Sequence, residues 1–282
     1  MKEKIKLEGV SFKYSRRESP AIKDICFSLK SGEFVLLTGP AGAGKSTFAN
    51  CLNGVIPHFQ KGEMGGNIYL EGVNTKDLST GKIATKVGSV FQDPEGQIIC
   101  AQVDEEIAYG LENLGLPPRV IAERIDEVLH LVGIEDLRNR ATNTLSGGQK
   151  QRVATAAVLA MEPKVLILDE PTSELDPQGT EQVIQLLHRL NREKNIAILL
   201  IEQKVEDAAP YADRLVVLRE GEIIREGAPA QVLMELSSQR EVGIEIPQFV
   251  NLAKLMDAKK SIPLDILQAK TMVRNYLRGW EI

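Results

Sequence analysis

Residues 39–47 read Gly39-Pro-Ala-Gly-Ala-Gly-Lys-Ser-Thr47, and this stretch decides the fold. It satisfies the spacing G-x-x-x-x-G-K-[ST], with Gly39, Gly44, Lys45 and Ser46 in the required places. The apolar run Phe34–Thr38 precedes it and a helical pattern, Thr47–Leu52, follows. A strand that turns through glycines into a helix points successive backbone N–H groups inward, where they can meet phosphate oxygens. The helix start adds about half a positive charge. Lys45 adds a full one, and the Ser46 hydroxyl can ligate Mg²⁺. Pro40, Ala41, Gly42, Ala43 and Thr47 complete the candidate cradle. The bland alternative is a glycine-rich turn with a chance lysine; the strand and helix on either side count against it.

Three further apolar runs, Val87–Phe91, Val165–Leu168 and Ala197–Ile201, each end in Gly or polar residues. Continuous apolar runs suit strands buried on both faces, as in a parallel sheet. Amphipathic segments lie between them. In Arg119–Val132, Ile121, Ile125, Val128, Leu129 and Val132 fall on one helical face. The first thirty residues alternate as short strands broken at Ser19-Pro20 and Ser31-Gly32, and Leu215–Leu218 with Glu222–Arg225 predicts a hairpin around Glu220-Gly221. Residues 104–159 read as mostly helical. Beyond Gly227 the strand signals stop, and Gln248–Met256 and Pro263–Trp280 predict two helices, the second with Leu264, Leu267, Val273, Leu277 and Trp280 roughly on one side. The fold class that follows is α/β: a mostly parallel sheet, a small N-terminal antiparallel β-subdomain, a helical insert at about 96–160, and a C-terminal helical appendage over 231–282.

Composition narrows the function classes. A formal charge of −5, with no long run of like charge, argues against a nucleic-acid partner held by bulk electrostatics. Cys26, Cys51 and Cys100 are odd in number and far apart, which fits a reducing compartment. No apolar run approaches the roughly 20 residues that span a bilayer, and Met1–Val10 resembles no signal peptide.

Val165–Leu168 leads into Asp169-Glu170. A strand inside a parallel sheet delivers these carboxylates to the carboxyl edge, where ligands of open α/β folds bind. There Asp169 can hold Mg²⁺ through its water shell and Glu170 can polarise an attacking water as general base. Leu145-Ser146-Gly147-Gly148-Gln149 reads first as a helix start, with Ser146 and Gln149 forming a capping box. Two glycines exceed what a cap needs; they leave N–H groups that can close on an anion.

With these motifs in this order, residues 3–230 resemble the ATPase subunits of ABC transporters, whose signature is LSGGQ. The resemblance implies a P-loop NTPase core and a Mg-ATP site. It further implies that Tyr14 stacks on adenine, that Gln92 is the Q-loop glutamine sensing Mg²⁺, and that Ser173-Glu-Leu-Asp176 is the D-loop. Taken bare, Tyr14 reads as packing, and Asp176-Pro177 as a helix N-cap and first-turn pair. By the same resemblance, two such subunits close head-to-tail, each ATP lying between the phosphate loop of one and residues 145–149 of the other.

Within the superfamily, Asn53-Gly-Val-Ile-Pro-His58, Val90–Gln97 and Glu105–Gly115 resemble the energy-coupling factor (ECF) type of vitamin and metal importer. Its ATPase subunits often use a C-terminal tail in dimer contacts; a tail packed on its own core is the alternative. The resemblance implies integral membrane partner subunits, docked around Gln92–Gln102, and a peripheral place on the cytoplasmic membrane face. The apolar Gln97-Ile-Ile-Cys100 suits that contact or the core.

One position departs from the family. Where the family carries a histidine beside the γ-phosphate, this chain has Gln203. An amide still donates a hydrogen bond, yet it cannot become cationic as imidazole does. Slower turnover, and pairing with a related subunit that keeps the histidine, are the expectations. A soluble ABC ATPase and a weakly catalytic regulatory subunit stand as alternatives; a kinase has no use for LSGGQ.

Overall fold

The computed structural model describes residues 2–173, 175–238, 243–257 and 262–278. The chain begins with β1 (Glu3–Tyr14), β2 (Ile22–Lys30), β3 (Phe34–Thr38), α1 (Lys45–Leu52) and the single turn α2 (Val55–His58). It continues through β4 (Gly62–Leu70), β5 (Val73–Asn74), α3 (Thr80–Ala84), β6 (Val87–Val90) and α4 (Pro94–Gln97). Three helices follow, α5 (Val103–Asn113), α6 (Pro118–Val132) and α7 (Gly147–Ala160), before β7 (Val165–Asp169), α8 (Pro177–Lys194) and β8 (Ala197–Ile201). Last come β9 (Arg214–Arg219), β10 (Glu222–Gly227), α9 (Pro229–Leu236), α10 (Gln248–Leu255) and α11 (Ile266–Arg278).

Two sheets result. One orders β2-β1-β4-β5 and is antiparallel throughout. The other orders β10-β9-β3-β8-β7-β6, parallel except for the β9–β10 hairpin. The α/β class expected from the sequence is the one observed. In β3, β7 and β8 all five residues are buried, and alternate side chains serve different cores. Leu36, Leu168 and Leu200 pack with α5–α9, whereas Leu37, Ile167 and Leu199 pack with α1 and the antiparallel sheet. Covering both faces is why these strands read as unbroken apolar runs. Each such side chain contributes roughly 1.5–3 kcal/mol by leaving water.

Some boundaries differ from the sequence reading. The strand expected to reach Phe91 stops at Val90, because the Phe91 N–H donates to Gln97 Oε1 (3.0 Å) instead of a ladder. Strand β4 escaped notice because its glycines blur the alternation, though it pairs along much of β1. Helix α9, entered through Pro229 and burying Val232, Leu233 and Leu236, was missed as well. Helix α11 turns a different face inward than predicted: Ala269 and Met272 are buried, while Leu267 and Leu277 are exposed. Trp280 lies outside the described residues. Among the described residues, no helix is long and apolar enough to cross a membrane.

Glu71 ties the two sheets. It follows β4 and accepts from Lys4 Nζ of β1 (2.7 Å) and from Lys86 Nζ, just before β6 (2.6 Å). The hydrogen bonds from Lys4 and Lys86 hold its carboxyl down at about 2. A carboxylate depressed in the folded state stabilises above the ordinary glutamate range, and that contribution is lost as pH falls toward 2. Glu71→Gln should therefore lower the urea midpoint at neutral pH, with the gap to the parent closing as pH drops below about 4.5. A gap that stays constant through that range would show that the ion pairs do not couple to folding.

Candidate functional site

The phosphate loop owes its shape to two glycines. Gly39 has φ 155°, and a Cβ there would meet the Leu218 carbonyl at 2.1 Å; Gly44 has φ 103°, and its Cβ would meet the Ala21 carbonyl at 2.5 Å. Both clashes are with backbone, which cannot swing away. The β9–β10 turn supports the loop from behind: the Gly221 N–H donates to Ala43 O (3.0 Å), and Gly221 O accepts from Lys23 N (2.8 Å). Helix α1 starts at Lys45, whose ammonium donates to Gly39 O (2.8 Å) and Pro40 O (3.2 Å). Ser46 is exposed at the same helix start, while Thr47 is buried and its hydroxyl lies 3.1 Å from the Tyr14 phenol. Tyr14 also meets the edge of Phe12 (4.9 Å between centroids), and the Arg17 guanidinium sits 5.8 Å from its ring.

Parallel register carries the acidic residues to the same edge. Asp169 pairs with Ile201, and Ile201 pairs with Leu37, two residues before Gly39. Burial pushes the Asp169 carboxyl up; the Ser46 hydroxyl pulls it down, neighbouring Glu170 pushes it up and Lys45 pulls it down. Ser46, Asp169 and Gln92 together offer hydroxyl, carboxylate and amide oxygens, a hard donor set that fits Mg²⁺ better than a soft metal.

Glu170 is the meeting point. Its Oε2 accepts from Gln92 Nε2 (3.0 Å) and its Oε1 from Gln203 Nε2 (2.8 Å), with Lys45 Nζ at 3.9 Å. Its φ is +50°, in the left-handed region, secured by its N–H donating to Ile201 O (2.9 Å). A non-glycine residue held there stores roughly 1–3 kcal/mol, and such strain gathers at functional sites. Three residues distant in sequence thus converge on one carboxylate.

The remaining candidates lie elsewhere. Ser146 caps α7 by accepting from Gln149 N, and Gln149 Oε1 accepts from Ser146 N (3.0 Å), so the capping box forms. Leu145 is buried in the core. Ser146, Gly147, Gly148 and Gln149 line an open groove with Leu175 and Asp176; none of the phosphate-loop residues lines it. Asp176 caps α8, accepting from Gly179 N (2.7 Å). Glu174, within the predicted D-loop, lies outside the described residues. In the Gln97–Cys100 stretch, Ile98 packs partly on the core while Ile99 is exposed.

Sequence reasoning overlooked Glu202. It is 5% exposed and accepts from Thr172 twice, from Oγ1 (2.7 Å) and from N (3.2 Å). The only available signal was a carboxylate abutting a wholly apolar strand.

Residues 22–173 match the ABC transporter family. The chain belongs to that family. It is an ATP-binding subunit with the ATPase chemistry of the class. An ABC transporter ATP-binding protein of Pyrococcus horikoshii is 41% identical over 279 residues, 98% of both chains. The energy-coupling factor transporter ATP-binding protein EcfA1 of Clostridium perfringens is 38% identical over 275 residues, 95% of this chain and 96% of that one. A Methanosarcina mazei relative, 41% identical, is much longer, and the matched region spans only 43% of it. Among solved structures, CbiO1 of Clostridium perfringens, part of the ABC transporter complex CbiONQ, superposes with a TM-score of 0.74 at 33% identity, over 91% of this chain and all of that one. The dimeric cassette MJ0796 gives a TM-score of 0.70 at 31% identity, over 80% and 98%.

Burial pushes Glu202 up to about 7, against the Thr172 hydrogen bonds; the Glu170 and Asp207 carboxylates add to the rise. An acid raised in the folded state binds its proton more tightly there than when unfolded, so stability falls as pH climbs from about 4.5 to 7. Glu202→Gln removes that loss. Its urea midpoint should gain on the parent progressively across this range and level off above pH 7. A difference independent of pH would refute the burial argument.

Proposed function

We propose that this chain is the ATP-hydrolysing subunit of an ECF-type importer for a micronutrient, a vitamin or a metal ion, docked on the cytoplasmic face of the membrane. The observation that carries the catalytic part is the Glu170 carboxylate, held by two glutamine amides beside the lysine of the phosphate loop. In this reading Tyr14 stacks on adenine. The backbone of residues 39–47 and Lys45 hold the phosphates. Mg²⁺ would be held by Ser46 and Gln92 and, through water, by Asp169; it would neutralise charge developing on the phosphates. Glu170 takes the proton of the attacking water.

Residues 146–149 and Asp176 line a groove apart from the phosphate loop, which supports their acting on the ATP of a second subunit. ATP then contacts both subunits only when they close, and that differential binding shifts the open–closed equilibrium. Exposed Phe91, Ile99, Tyr109 and Leu114 support a docking surface for a membrane subunit near Gln92–Gln102. The likeness to CbiO1 points the same way. The exposed Leu255, Ile266, Leu267 and Leu277 favour residues 231–282 as an extension beyond the ATPase domain (1–230) that contributes to a dimer contact. Gln203, which cannot carry the charge of the family histidine, favours a heterodimer with a related subunit that has it.

Two substitutions test the reading. Glu170→Gln should lower ATPase activity by about 10²-fold or more while retaining nucleotide binding, and should accumulate an ATP-bound dimer. A monomer at saturating Mg-ATP, or unchanged turnover, would overturn it. Gln203→His, assayed in the assembled complex, should raise turnover several-fold, roughly 1 kcal/mol of barrier. No gain removes the idea that the amide limits this site.

A further inference from the structure

Three polar ties join the segments that leave β7 and β8. The first is the Glu170 N–H to Ile201 O (2.9 Å), and the second is Gln203 Nε2 to Glu170 Oε1 (2.8 Å). The third, from Thr172 to Glu202, lies outside every nucleotide contact proposed above. Glu202 emerges from a fixed point, since its own N–H donates to Leu37 O of β3 (3.1 Å). Its Oε1 accepts both the Thr172 hydroxyl and the Thr172 N–H. A carboxylate this deeply buried is costly to keep without partners, and hydrogen bonds to a charged acceptor are the stronger kind.

Thr172 is a junction. On one side its hydroxyl and N–H grip Glu202; on the other its carbonyl accepts from Leu175 N (3.1 Å). Leu175 and Asp176 line the groove with Ser146–Gln149, and a Cβ on Gly148 would stand 3.0 Å from the Leu175 side chain. A continuous path of short contacts therefore runs from Gln203 and Glu202 through Thr172 to the groove. A carboxylate that merely ended a strand would not need to point back at a residue of the neighbouring loop.

We propose that Glu202 is a positioning residue for ATP turnover, latching Thr172, and through it Leu175 at the groove of residues 146–149, to the end of β8. The latch touches neither the phosphate loop nor Tyr14, so it acts on kcat and leaves nucleotide affinity alone. This inference rests on the nucleotide-site reading above, whose own failure would show as absent Mg-ATP binding by the unsubstituted protein.

The test is a double-mutant cycle on the full chain in its assembled complex. Glu202→Ala and Thr172→Ala should each reduce kcat about tenfold with KM for ATP nearly unchanged. The double variant should be no worse than either single one, because both remove the same contact. Glu202→Gln, which still presents an oxygen to both donors, should keep most of the activity. Thr172→Val deletes only the hydroxyl at nearly constant shape and covers the case in which the alanine variants fold poorly; it should lose kcat several-fold without a change in KM. Additive losses, a change confined to KM, an unaffected Thr172→Val, or Glu202→Gln as impaired as Glu202→Ala would each overturn the latch.

Discussion

Three buried strands in parallel register bring the whole site together. Leu37 of β3, Ile201 of β8 and Asp169 of β7 stand at one level, and a ladder of this kind cannot slip by one residue without turning its core-facing side chains to the opposite face. Because both faces are packed, each strand is locked against two cores at once. The phosphate loop, the two carboxylates and Gln203 all leave the sheet within two or three residues of that level. Their separations are therefore consequences of the register, and no further device is needed to gather them.

What the register assembles is electrostatically tense. Asp169, Glu170 and Glu202 crowd one edge, with Lys45 as the cation beside Glu170. Burial, with neighbouring carboxylates, raises the cost of ionising Asp169 and Glu202. The fold answers with neutral donors: amides from Gln92 and Gln203 on Glu170, a hydroxyl and an N–H from Thr172 on Glu202. Neutral donors satisfy carboxylate oxygens without adding a second cation to the edge. Gln203 in particular carries an amide, which has no proton to gain or lose in the physiological range and so cannot be switched by pH as an imidazole can.

The glycine-rich loop shows how local and global demands coincide. Its positive φ angles are a matter of sequence, but the clash at Gly39 is with Leu218, nearly 180 residues away. The hairpin that supplies Leu218 also supplies Gly221, which bonds Ala43. A residue chosen for backbone freedom thus doubles as the place where two distant segments touch.

Much was legible in the chain itself. Buried strands announce themselves as apolar runs, since every position faces a core; a phosphate loop announces itself because only glycine tolerates its backbone; caps at Ser146 and Asp176 show because their chemistry is local. These signals span a few residues and survive without tertiary context. Strand β4 and helix α9 did not show: the glycines of one break the period, and the other is too short to establish one. Nor could the sequence tell which side of α11 is buried, because Ala269 and Met272 face inward for reasons set by α10 and the core rather than by their own hydrophobicity. Only the folded structure decided that Gln92, Gln203 and Lys45 share Glu170 and that Glu202 grips Thr172. Such pairs join residues 30 to 125 positions apart, and no spacing rule reaches across that distance; the sheet register alone determines who meets whom.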